Sequence, residues 1–288
     1  MKINTTGWHK YMGLPALLLF ATFFLLPFVR GVGLSLTDWN GFSKPTFIGF
    51  SNFIAFFSDE RALRDVRTTV LFALASAPLL NLVGLALALL LNKGFRGRVV
   101  VRGLLYMPAV ISPMIMGSIW YLLLQPKRGL FSILLERVNL SSEMNWMLDG
   151  NLALLVLVSV NVWQYAGMTM VIYLAGLQAI PSEHYEAASV EGATSTQIFA
   201  RIVFPQLLPS LKINSITNII GSLSVFDVIL ALTDGGPGYD TESLSIYIMR
   251  MSWGNRGGYS TAVAMILFFI ILVPVLLALL LFRRTEGI

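Results

Sequence analysis

Residues 262–282 read AVAMILFFIILVPVLLALLLF, a run of aliphatic and aromatic side chains with no charge and no amide. Hydrocarbon offers no partner to a peptide group. A crossing segment must therefore satisfy its own backbone, and an α-helix of about 20 apolar residues does so. Working outward, five more runs meet that requirement. With boundaries good to a few residues, the six are 11–36, 68–91, 103–124, 151–177, 213–232 and 259–282. The first contains LPALLLFATFFLLPFV, and the fifth is the most polar. Composition agrees: 56% of the 288 residues are apolar and 12% are charged, against about 25% charged in soluble domains. The expected fold is all-α, a polytopic membrane protein of six transmembrane helices in a single domain, residues 1–288. One long loop, 178–212, joins spans four and five.

Several classes are excluded at once. There is no cysteine, so there is neither a disulfide framework nor a thiolate metal site. The two histidines, His9 and His184, lie far apart and make no ligand set. The net charge of +5 is read as basic loops against anionic lipid rather than as a nucleic-acid surface. Lys2 and Lys10 precede the first run as in a signal peptide, but the run is too long and no small-residue cleavage site follows. An uncleaved first helix is expected. Orientation follows from basic residues. Asn92–Arg102, NKGFRGRVVVR, holds four of them and no acid, whereas ten of the fifteen acids fall in the loops on the other side. Both termini, and the 178–212 loop, are expected in the cytoplasm.

That loop, QAIPSEHYEAASVEGATSTQIFARIVFPQLLPSLK, reads as two short helices. Ser182 is the expected N-cap of the first, with Glu183 and Glu186 near the positive dipole end. Gly192 is placed to end it through a left-handed backbone or to admit another chain. Thr194 and Gln197 form a capping-box pair for the second, and Pro205 is expected to stop it.

These residues carry a resemblance. Glu186-Ala187-Ala188, Gly192, Ile202 and Pro205, at their spacing, resemble the EAA loop of ABC importer permeases, with Phe204 where the family usually has Leu. Residues 221–248, GSLSVFDVILALTDGGPGYDTESLSIYI, resemble the fifth-span exit of binding-protein-dependent sugar permeases of the maltose type. GGYSTA, 257–262, and YMPAVISPMIMGSIWYLLLQPKRG, 106–129, are similar to that family's last and third spans. The chain resembles the first of the two permease types that pair in such transporters. The resemblance implies a sugar importer's permease in a prokaryotic cytoplasmic membrane. Its partners would be a second permease subunit, two ATPase subunits that hold ATP and Mg, and an external solute-binding protein. It also implies that Glu186, Ala187, Ala188, Gly192, Ile202 and Pro205 belong to a helix that docks in a cleft of the ATPase. No cofactor is expected on this chain.

Polar residues inside the spans suggest where a solute would bind. Asn161, Gln164, Tyr165 and Met168 follow i, i+3, i+4, i+7, one helical face. Ser215, Asn218, Ser222 and Val225 follow three- and four-residue steps in span five. Such residues either line a path or hold helices together. The resemblance favours the path for Asn161, Tyr165, Met168, Asn218, Ser222 and Val225, and the spacing adds Gln164. Arg30 either faces a path or snorkels, and Asp227 either faces a cavity or pairs between helices. Asp227 has no companion acids, so a proton relay is disfavoured. DGGPG, 234–238, lacks the lysine and the preceding strand of a phosphate loop and reads as a turn. No hydrolase or metalloprotease motif occurs. Three readings remain: a sugar permease, a permease of the same family for a glycerol-phosphate-type or other polyol solute, and a proton-coupled secondary transporter. The absence of Lys and Arg from the middle spans favours a neutral sugar.

Overall fold

The computed structural model describes residues 13–125, 128–137 and 145–283. Lys2 and Lys10, which entered the topology reading, His9 and the start of the first expected span lie outside them. The described residues form helices and connecting turns, with one isolated antiparallel bridge, Thr37 to Phe47. In chain order the helices are α1 (Leu14–Ser35), α2 (Ser51–Phe57), α3 (Glu60–Asn92), α4 (Arg98–Val110), α5 (Pro113–Leu123) and α6 (Leu130–Arg137). They continue with α7 (Gly150–Gln178), α8 (Ser182–Val190), α9 (Ser195–Ile198), α10 (Leu208–Leu223), α11 (Asp227–Leu232), α12 (Leu244–Trp253) and α13 (Gly257–Arg283).

Four helices, α1, α3, α7 and α13, are long and apolar enough to cross a membrane, and α4 with α5 would make a fifth crossing if taken together. Three expectations change in detail. The second expected span starts earlier, at Glu60. The third is not one rod, because α4 and α5 meet at 97°. Pro113 lacks an N–H and disfavours α geometry in the residue before it; Ser112 sits at ψ 131°, and Ile111, at ψ 138°, is extended as well. The expected fifth span is broken too, into α10 and α11 around Ser224–Phe226.

The chain gathers into two compact units. The first comprises residues up to Ala62 together with Tyr247–Phe268. Here the end of α1 is tied down by side chains. Asn52 Nδ2 donates to the carbonyls of Ser35 (2.9 Å) and Thr37 (2.8 Å), carbonyls that a helix end leaves without an intrahelical donor. Asp59 Oδ1 accepts the N–H groups of Arg61 (3.0 Å) and Ala62 (3.2 Å), capping α3. Its other oxygen accepts from Tyr247 and Tyr259. Arg61 lies over the Tyr247 ring and Arg256 over the Tyr259 ring, so two aromatic faces hold cations while their hydroxyls hold a carboxylate.

The second unit, Leu63–Ile246 and residues from Phe269 onward, is built around α7. More than half of the most apolar window of α7 is buried within the chain (56%), and α4, α10 and α11 pack on it. The crossing with α4 is close because of Gly167: a Cβ there would overlap the Leu105 carbonyl. Small residues at such crossings let backbones approach in a setting where hydrophobicity does not drive helices together. At one end, Ala88, Leu91, Met170, Tyr173, Leu174 and Leu177 form a core with Ile180, Val203 and Leu207.

Candidate functional site

α7, α10 and α11 enclose a cavity of about 280 Å³. Asn161, Tyr165, Met168, Thr169 and Ile172 reach it from α7, and Asn214, Thr217, Asn218, Gly221 and Ser222 from α10. Ser224–Val228 close one side, with Leu80 and Pro113 completing the wall. Six of the seven residues singled out by spacing and resemblance therefore line one space. Gln164 does not line it. It is fully buried and donates Nε2 to the Ile111 carbonyl at 3.2 Å. The α4–α5 bend frees that carbonyl, and Gln164 ties α7 to it. Ser215 also turns away, into an apolar cleft with Ala77, Pro78 and Tyr173. Asn214 takes its place. Asn214, Asn218 and Gly221 recur at i, i+4, i+7, a signal present in the sequence. The Asp227 reading resolves toward the cavity, which it lines.

The polar wall is partly saturated. Asn214 Nδ2 donates to the Thr169 carbonyl (3.1 Å), and Thr169 Oγ1 to Asn218 Oδ1 (3.4 Å). Asn218 Nδ2 and Ser222 Oγ are buried and have no hydrogen-bond partner among the described residues. A buried unpaired donor costs on the order of 1–3 kcal/mol, so these two atoms suit a bound molecule that supplies oxygen acceptors or hydroxyls. The break between α10 and α11 shapes the wall and is itself held. Ser243 Oγ donates to the Val225 carbonyl (2.8 Å), and the Leu244 N–H donates to Thr69 Oγ1 (2.9 Å). Thr241, Glu242 and Ser243 are fully buried. Thr241 Oγ1 donates to the Gly236 carbonyl (2.6 Å), so the DGGPG segment is a clamped turn. Sequence reasoning overlooked these supports, because hydroxyls in a loop look solvated.

The 178–212 loop is the second candidate site. α8 starts one position earlier than expected: Pro181 is its N-cap, Ser182 is the first helical residue, and no side chain caps it. Glu183 alone of the two acids is in the first turn, and Glu186 stands exposed a turn further on. α8 ends at Gly192, whose φ of +79° is the left-handed conformation expected there. The Gly192 N–H donates to the Ser189 carbonyl and the Ala193 N–H to that of Ala188, the paired bonds of a Schellman end. Thr194 and Gln197 form the reciprocal capping box of α9. Pro205 does not stop the helical path. A π-turn at Phe199–Val203 widens the ring just before it, so the missing N–H leaves a short helix, Phe204–Gln206, in place of a break. Ala188 is buried, and Tyr185, Ile198 and Phe199 pack on the core that includes Leu177 and Val203. Glu186, Ala187 and Pro205 remain exposed, and Ile202 is half-buried. The loop is thus a folded body seated on α3 and α7, with one face outward.

The pattern of the family described as "Binding-protein-dependent transport system inner membrane component" matches residues 80–287. The chain belongs to this family. As a member it is similar to the probable starch degradation products transport system permease protein AmyD of Thermoanaerobacterium thermosulfurigenes, at 31% identity over 97% of this chain and 95% of the relative. It is 32% identical to the trehalose/maltose transport system permease protein MalF of Thermococcus litoralis, over 94% and 95% of the two chains. Among solved structures it resembles a chain of a bacterial alginate ABC transporter in complex with an alginate pentasaccharide-bound periplasmic protein. That match has a TM-score of 0.84 and 26% identity, and covers 96% of this chain and 94% of the other. Members of this family are membrane components of transport systems, which agrees with the apolar helices described above.

Proposed function

We propose that the chain is the permease subunit of an ATP-driven importer and forms half of a translocation pathway for a neutral sugar delivered by an external binding protein. The observation that carries this reading is the cavity. Its lining offers Asn161, Tyr165, Asn214 and Asn218, with Asn218 Nδ2 and Ser222 Oγ unpaired, and it contains no Lys or Arg. Amides and hydroxyls meet sugar hydroxyls, and the Tyr165 ring offers a face to a pyranose. An anionic glycerol phosphate would find the Asp227 carboxylate and no cation. Relatives named for starch products and for trehalose and maltose support the solute class.

In this proposal the whole chain is one permease domain with six spans, α4–α5 and α10–α11 each counting as one, and with both termini in the cytoplasm. A second permease subunit supplies the other half of the pathway. Two ATPase subunits hold ATP and Mg and grip the outward face of α8, with Glu186, Ala187, Ala188, Gly192, Ile202 and Pro205 forming or shaping the docking body. Because that body packs on α3 and α7, a movement of its partner reaches the cavity wall. The test is uptake by vesicles carrying the reconstituted transporter, with binding protein outside, ATP inside and no ion gradient. Sugar accumulation that needs ATP is the expected result. Accumulation driven by a proton gradient without ATP would replace this reading with secondary transport.

A further inference from the structure

α2 exposes what a helix in water would hide. Phe50, Ile54 and Phe57 recur at i, i+4, i+7 on one side of it and are 69%, 67% and 66% exposed. The opposite side carries Asn52 and Phe56, both buried. Asn52 fastens this opposite side to the Ser35 and Thr37 carbonyls, at the end of α1. The Ile48 N–H donates to the Leu36 carbonyl at 2.9 Å, and Thr37 pairs with Phe47, so the entry to α2 is pinned to the same end. α1 is 22 residues long, about the thickness of the hydrocarbon layer, and none of its most apolar window is buried within the chain. The end of such a helix lies at the border between hydrocarbon and headgroups.

We infer that α2 is an interfacial anchor, lying in the headgroup border of the bilayer that α1 crosses, with Phe50, Ile54 and Phe57 sunk into the acyl boundary. Three features select lipid as the occupant. The clamp through Asn52 fixes the height of α2 at the end of a membrane helix. The exposed stripe continues the apolar surface that α1 already presents. Phenylalanine and isoleucine on one face of a short helix, with Ser51, Ala55 and Ser58 flanking it, supply the apolar face of a segment that lies in a membrane surface, and the clamp to α1 stands in for the charged face such segments usually carry. Nothing in this placement requires a solute. It rests on the membrane assignment of α1 and is independent of which side of the membrane the termini occupy.

The experiment uses the absence of cysteine. Ile54→Cys, Phe57→Cys and, as a flanking control, Ala55→Cys are each spin-labelled in the assembled transporter in phosphatidylethanolamine–phosphatidylglycerol vesicles. Collision with oxygen, which concentrates in lipid, is compared with collision with a water-soluble nickel chelate. Labels at 54 and 57 are expected to favour oxygen strongly, and the label at 55 to favour it less. Nickel access at 54 and 57 equal to that at 55 would overturn the anchor in favour of a solvated loop. Exclusion of both probes would overturn it in favour of a protein partner covering the stripe. A failure of sugar uptake or ATP coupling leaves the collision result unchanged, so the two proposals fail separately.

Discussion

The Tyr247 hydroxyl donates to Oδ2 of Asp59 at 2.5 Å, across 188 residues of sequence. Tyr259 reaches the same oxygen at 3.2 Å. One carboxylate thereby joins the start of α3 to α12 and to the first turn of α13, within the first compact unit.

This junction sets a pH dependence. Burial pushes the Asp59 carboxyl up, but the hydrogen bonds from Tyr247, the Ala62 N–H, Tyr259 and the Arg61 N–H outweigh it and hold the group below its ordinary value of 3.8. A depressed carboxylate contributes stability above its unfolded pKa and loses it as pH falls through the folded value. Asp59→Asn is expected to lower stability at neutral pH by about 1 kcal/mol. Thermal unfolding in detergent should show that difference shrinking below pH 3.8. A difference that stays constant into acid would remove the carboxylate from the account.

Gly192 separates backbone from contact. At φ +79° any β-branched residue is strained, by roughly 1–2 kcal/mol, yet among the described residues none beyond its chain neighbours comes within 4 Å of where a Cβ would stand. Gly192→Val is expected to impair substrate-stimulated ATP hydrolysis in reconstituted vesicles. Gly192→Asn tolerates the left-handed backbone and is expected to retain most of it. If Asn fails as badly as Val while both fold, close approach of a partner, and not φ, is what the glycine provides.

Asn218 and Tyr165 test the cavity. Asn218→Ala removes the unpaired donor, and Tyr165→Ala removes the ring. Each should cost on the order of 1–3 kcal/mol of solute interaction, roughly tenfold to a hundredfold in uptake at limiting substrate. Normal uptake in both variants, at normal expression, would empty the cavity of its assigned role.

Topology is read with single cysteines. In the proposed arrangement an impermeant thiol reagent labels a cysteine at Leu130 from outside and one at Ser195 only from inside. The reverse pattern would invert the chain and move α8 away from any ATPase.

Gly167→Ala probes packing alone. Its Cβ would meet the Leu105 backbone, which has no soft side chain to yield, and overpacking of this kind costs about 1–3 kcal/mol. A lowered unfolding temperature is expected, with uptake per folded molecule little changed.

Much of this was legible in the sequence because the signals were local. Apolar runs of span length become α1, α3, α7 and α13. Thr194 with Gln197, and Gly192, announce a cap and a helix end from within one turn of chain. What sequence reading missed depends on irregular backbone or on distant partners. Pro205 looks like a stop until the π-turn before it is seen. Gln164 shares a face with Asn161 and Tyr165 on a helical wheel, yet the Ile111 carbonyl, 53 residues away, draws it out of the cavity. Ser243 and Thr69 carry no periodicity, and only the fold brings them to Val225 and Leu244.

The bend at Ile111–Pro113 bears on how the chain enters the bilayer. α4 has 13 residues and α5 has 11, each short of the roughly 20 needed to cross alone. The carbonyl exposed between them waits for Gln164, which is synthesised later. If segment 98–123 spans as proposed, that carbonyl has no Gln164 donor until α7 emerges, and its lasting residence in hydrocarbon is expected to depend on the helix that follows. A nascent chain ended at Leu148 should release this segment to alkaline extraction more readily than one extended through Gln178. Equal resistance would show that the bent pair inserts unaided.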